Sequence, residues 1–115
     1  MVRRSCLAID LRDDAAAIDE YERIHRPGGV WLEVVADLRA RGYADMTIWR
    51  TGNRLFMIAE IEHNTAEPSI DSKTQQALDR WQALTSGLQQ ALPGRGPSPQ
   101  WIEMACVFDL NEHRG

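Results

Sequence analysis

A tyrosine and a histidine stand four residues apart in "YERIHRPGGVWLEV", residues 21 to 34, and Pro27-Gly28-Gly29 follows at once. On a helix that spacing brings Tyr21 and His25 to nearly the same face. A phenol there can hold a ligand and an imidazole can move a proton, because histidine titrates at about pH 6.5. A positioned acid–base group of this kind contributes about 10² to 10⁴ in rate. By spacing alone, however, such a pair is more often a packing partnership than a catalytic one. The elements that carry it decide between the two.

The chain has 115 residues and a formal charge of -4, with a sequence pI near 5.3. That length fits one domain, residues 1–115, with a single core, and leaves room for a second subunit to complete a cleft. The acidic balance offers no basic patch to neutralise phosphates, so no nucleic-acid partner is expected. No apolar run reaches membrane-spanning length, and "MVRRSCLAIDLRDD" turns acidic before a signal-peptide core can form; the expectation is a soluble, cytoplasmic protein with no membrane partner. Cys6 and Cys106 fall within apolar alternation near opposite ends and read as buried thiols on strands. His25, His63 and His113 have neither HxxxH spacing nor a CxxC companion, so no metal is expected, and no glycine loop cradles a phosphate-bearing cofactor. His63 follows "EIE" at a strand end and is expected in solvent, and His113 lies in the tail "NEHRG".

Residues 3–10 alternate as a half-buried strand. A helix follows, capped by Asp13 or Asp14, with Ile18, Tyr21, Ile24 and His25 along one stripe until Pro27-Gly28-Gly29 interrupts it. A second helical piece carries Trp31, Val34, Val35 and Leu38 and ends at Gly42. "DMTIWRT" and "NRLFMIAEIE" form an antiparallel hairpin whose turn uses Gly52 at positive φ. Residues 63–71 read as a loop. From Ser72, with Gln75 completing a capping box, Ala77, Trp81, Leu84, Leu88 and Ala91 recur at helical spacing until Pro93-Gly94. "WIEMACVFDL", residues 101–110, alternates as a final strand.

The order βαββαβ is the split βαβ motif: an α+β, ferredoxin-like fold with helices on one face of an antiparallel sheet. The opposite face also carries large apolar residues and needs cover, which predicts a homodimer.

"YERIH" with "VWLEV", the "IW" of the hairpin, "LFMIAEIE", "RW" in the later helix and the closing "VFDL" together resemble the L-rhamnose mutarotase family, small proteins that interconvert sugar anomers. The likeness runs from the first strand to the last. It implies a dimeric α/β barrel of ferredoxin-like subunits, a monosaccharide substrate such as L-rhamnose or L-fucose, and no cofactor. It places the family's proton-donating histidine at His25 and a sugar-binding tyrosine at Tyr21. A tryptophan pair falls on Trp81 and Gln82, so the second ring is replaced by an amide, and a further sugar-contacting tyrosine falls at Met46, with Tyr43 close by. The loop through Gly28 and Gly29 is longer than the family's. These departures bear on which sugar is taken, and Gln82 points to an altered hydroxyl pattern, for example that of L-fucose.

Mutarotation gives those residue types a reason. The ring opens when its oxygen gains a proton and the anomeric hydroxyl loses one; the aldehyde then turns and recloses on its other face. His25 is the acid, with Glu60, Glu62 or water as the complementary base. A sugar's CH-rich face stacks on an apolar ring, which suits Trp81, with Trp49 and Trp101 as lesser walls. Trp81 also lies on its helix's apolar stripe and Trp31 reads as core. Two other classes share the fold logic: cofactor-independent monooxygenases of the dimeric α/β barrel type, and non-catalytic small-molecule-binding modules.

Overall fold

In the computed structural model, residues 2–62 and 66–113 are described; His63 lies outside them. Strand β1 (Val2–Leu11) leads into helix α1 (Ala15–Ile24) and helix α2 (Leu32–Ala40). The hairpin of β2 (Tyr43–Thr51) and β3 (Arg54–Glu62) follows, then α3 (Ser72–Ser86) and the two-residue strands β4 (Gln89–Gln90) and β5 (Ile102–Glu103). The sheet order is β2-β3-β1-β4, and β5 also pairs with β1. All pairings are antiparallel. This is the α+β arrangement expected of a ferredoxin-like chain.

Local chemistry accounts for the ends of α1. The Asp14 side chain accepts from the Ala17 backbone N–H at 2.7 Å, so Asp14 rather than Asp13 is the cap. Ala17, Tyr21 and Ile24 are the helix's buried stripe, and His25 closes it as the C-cap residue. The loop then folds tightly back: a Cβ on Gly29 would stand 2.8 Å from the Ile24 carbonyl oxygen, which only glycine avoids. The β2–β3 turn uses Gly52 at φ 57, as its sequence requires.

Register separates the sheet's two faces. Ile9 opposes Leu55 and Leu7 opposes Met57, while Met57 opposes Ile48 across the hairpin. On this face Ile9, Leu11 and Leu55 are almost fully buried with Tyr21, and Ile18, Ile48, Leu88 and Trp101 pack around them. Each such aliphatic side chain contributes about 1.5–3 kcal/mol when fully buried.

Four sequence expectations are corrected. Helix α3 starts one residue earlier in its capping than the Ser72–Gln75 pattern suggests, because Asp71 accepts from the Thr74 N–H at 2.7 Å. It also stops at Ser86, with Gly87 as its cap, so Leu88 and Ala91 lie beyond it and Gln89–Gln90 join the sheet. The final strand keeps only Ile102–Glu103, plus a bond from the Met104 N–H to the Cys6 carbonyl at 2.7 Å. Beyond that point no neighbouring strand among the described residues pairs with it: Val107 is 95% and Phe108 65% exposed, and Cys106 is exposed rather than buried. A short 3-10 turn, Leu110–Glu112, ends the described chain, and His113 stacks on Phe108.

Candidate functional site

The face of β1, β2 and β3 that carries Ile48 and Met57 turns toward α1, α2 and α3 and leaves a cavity of about 550 Å³ between them. Tyr21 and His25 enter it from the end of α1, Met46, Ile48 and Met57 from the hairpin, and Leu78, Trp81 and Gln82 from α3. Val34, Val35, Asp37 and Leu38 close it from α2, and Gln89 and Trp101 from the chain that follows α3. All five residues expected at the site, Tyr21, His25, Met46, Trp81 and Gln82, therefore share one cavity. Its size falls within the range of about 300–1,000 Å³ typical of small-ligand pockets. Trp49 does not line it; that side chain is 62% exposed and borders the second cavity beside Tyr21 and His25. Glu60 and Glu62 do not line it either, and Glu60 accepts from Arg4 Nη2 at 3.0 Å.

Helix geometry fixes the imidazole. With His25 at the C-cap, its Nδ1 lies 2.7 Å from the Tyr21 carbonyl oxygen. A carbonyl only accepts, so Nδ1 carries the hydrogen and neutral His25 keeps a bare Nε2. The imidazole stacks on the Tyr21 ring, centroids 4.1 Å apart and planes 25° from parallel. Trp81 meets it edge-on at 5.4 Å, and Trp31 meets Trp81 in the same manner at 5.2 Å. Burial lowers the His25 pKa below its ordinary value, partly countered by the bond to the Tyr21 backbone. At neutral pH the neutral form of this imidazole is therefore favoured, with Nε2 able to accept a hydrogen bond or a proton.

Tyr21 belongs to both the core and the cavity. Burial pushes its phenol up to about 12, and hydrogen bonding with Gln89 opposes that rise. Its hydroxyl is thus a neutral hydrogen-bonding group at physiological pH.

Two polar wall residues had no sequence signal pointing to them. Asp37 is the carboxylate of this wall; its Oδ2 accepts from Arg41 Nε at 2.9 Å, and its buried Oδ1 has no hydrogen-bond partner among the described residues. Gln89 is buried at 8% exposure. Both sit in stretches whose helical or strand spacing reads as ordinary scaffold.

A second cavity of about 510 Å³ lies on the other side of the Tyr21–His25 pair, toward Glu22 and Arg50, which form an ion pair at 3.1 Å. Among the described residues no helix is long and apolar enough to cross a membrane.

An aromatic-walled cavity around a half-buried imidazole, set in a ferredoxin-like α+β frame, has the size and lining to take a small molecule beside a group that can exchange a proton. Comparison with known proteins narrows that reading. A family model described as L-rhamnose mutarotase matches residues 4–110. The L-fucose mutarotase of Xanthomonas campestris pv. campestris is 40% identical over 113 residues, which cover 96% of this chain and 90% of that protein. The crystal structure of an L-rhamnose mutarotase from Formosa agariphila shares the fold at a TM-score of 0.65 and 19% identity, over 93% of this chain and 97% of that one. The chain belongs to the L-rhamnose mutarotase family.

Proposed function

We propose that this protein is a sugar mutarotase that interconverts the α and β anomers of a 6-deoxy-L-hexose, L-rhamnose or L-fucose, with His25 moving the proton. The observation that carries the reading is the convergence of His25, Tyr21, Met46, Trp81 and Gln82 on one cavity. The identity of the family and the names of its L-rhamnose and L-fucose members support the substrate class.

The resting state of His25 sets the order of events. Nε2 takes the proton of the anomeric hydroxyl, the bond from the anomeric carbon to the ring oxygen breaks as the carbonyl forms, and the departing alkoxide takes the proton back from Nε2. Both oxygens hang on the same carbon, so one imidazole reaches each in turn. The aldehyde rotates, the steps run in reverse, and His25 returns to its neutral form. His25 is thus base first and donor second, and the donor half is the role the family resemblance gives it. No redox step or cofactor enters this balance. Trp81 supplies a wall for the sugar's CH face and Tyr21 a hydroxyl for the ligand.

Two finer parts belong to the same reading. A homodimer is supported by Trp49 and by Ile58, 39% exposed, on the uncovered sheet face, and by the apolar tail at Val107 and Phe108. A cytoplasmic setting is supported by the free thiols of Cys6 and Cys106.

The test is NMR magnetisation exchange between the α and β anomeric protons of L-rhamnose, L-fucose and a D-sugar control. Acceleration for a 6-deoxy-L-sugar is the expected result; no acceleration for any of them contradicts the reading.

A further inference from the structure

Gln89 is a buried amide where the core asks for none. It opens β4 opposite Leu11, a fully buried core residue, and is itself 8% exposed. An apolar residue of similar size would fill that place at lower cost, since a buried carbonyl and amide both demand partners. Its side chain lines the cavity together with Tyr21 and His25, and its amide opposes the rise that burial gives the Tyr21 phenol. The other neutral polar groups of the wall are differently placed. The Thr85 hydroxyl is turned to the Trp81 and Gln82 carbonyls at 3.2 Å each. Gln82 is exposed and donates from Nε2 to the Ser86 hydroxyl at 3.1 Å, so it stands at the rim.

We infer that Gln89 is the positioning and specificity residue of the cavity: one end of its amide sets the Tyr21 hydroxyl, and the other receives a hydroxyl of the bound sugar. The inference rests on the mutarotase reading for its ligand. An amide offers two donors and an acceptor, so one partner leaves capacity for a second. The effect reaches His25 as well, because the Tyr21 ring stacks on the imidazole and the Tyr21 carbonyl accepts from Nδ1. Discrimination between sugars that differ in the orientation of a hydroxyl then comes from the depth of the cavity more than from Gln82 at its rim. A site built to bond a hydroxyl rejects a ligand lacking it far more strongly than an apolar wall does.

Gln89→Met keeps the unbranched shape and removes the amide. The chain has two tyrosines, Tyr21 and Tyr43, so a Tyr43→Phe background assigns the ¹³Cζ resonance of Tyr21. In sugar-free protein at neutral pH that resonance is expected to shift in Gln89→Met. KM for the preferred sugar is expected to rise about tenfold, the weight of one buried hydrogen bond, with kcat within about threefold. Among singly deoxygenated sugars, one should bind Gln89→Met and the unsubstituted protein equally, which names the hydroxyl. Gln89→Asn, which withdraws the amide by one methylene, should reproduce the KM change if Gln89→Met fails to fold. An unmoved Tyr21 resonance and unchanged KM, with only a lower Tm, would overturn the inference in favour of a packing role. If the unsubstituted protein exchanges no anomers, the mutarotase reading fails, while the sugar-free resonance still reads the Gln89–Tyr21 contact.

Discussion

One face of the sheet lies beneath the three helices and buries Ile9, Leu11 and Leu55, whereas the other leaves Trp49 and Ile58 at the surface. The strands alternate apolar residues onto both faces, so hydrophobicity alone does not distinguish them; the connections do, because all three helices pack to one side. The covered face carries the core and the cavity. The uncovered face is where a second copy of the chain is expected, and there charged pairs take the place of packing. Asp10, nearly buried, accepts from Arg54 Nε at 2.8 Å and from Nη2 at 3.3 Å, while Arg4 and Glu60 pair in the open.

That contrast can be broken or sharpened by substitution. Leu55→Ala on the covered face should cost about 2–5 kcal/mol by denaturant unfolding, since it removes contacts from a filled core. Arg54→Met should lower stability less than Leu55→Ala but more than a substitution at an open pair, because it strands the nearly buried Asp10 carboxylate without its charged partner. Trp49→Lys should leave the unfolding free energy of the single chain within about 0.5 kcal/mol and weaken self-association in sedimentation experiments. A monomer at micromolar concentration before any substitution would sink the dimer. Arg4→Met should be the mildest, with little or no change in the unfolding midpoint, as expected of an exposed pair. If Leu55→Ala and Arg4→Met proved equal, the division between the faces would not hold.

Acid probes the covered face through His25. Its folded pKa is depressed, so the unfolded chain takes the proton first and stability falls as pH drops below about 6.5. Activity should decline over the same descent, since protonated His25 cannot accept the anomeric proton. His25→Gln should remove its share of that stability change.

Much of this was legible in the sequence, for reasons that differ by element. The Asp14 cap, the Gly52 turn and the stripe of α1 are local, and local chemistry decides them. The strand expected over residues 101–110 shrank because alternation records a side chain's preference for a sheet and says nothing of whether a partner strand is present. Helix α3 ended early because Gly87 and the pairing of Gln89 with Leu11 compete with a pattern that nominally continues to Ala91. At the site, Tyr21 and His25 stand out by their helical spacing and residue chemistry, Trp81, Gln82 and Met46 follow from the family resemblance, and all five line one cavity. Asp37 and Gln89 carry no local signal, because their cavity placement depends on contacts between elements distant in sequence. Glu60 was an attractive base on strand spacing, yet pleat and register turn it to the face that bears no cavity.

The most direct test of the account is anomeric magnetisation exchange of L-fucose and L-rhamnose with the unsubstituted protein and with His25→Ala, at matched folding by circular dichroism. The account predicts that His25→Ala stays folded and loses about 10²-fold or more of the acceleration. A folded His25→Ala protein that keeps its rate within a few-fold would contradict the assignment of the proton to this imidazole.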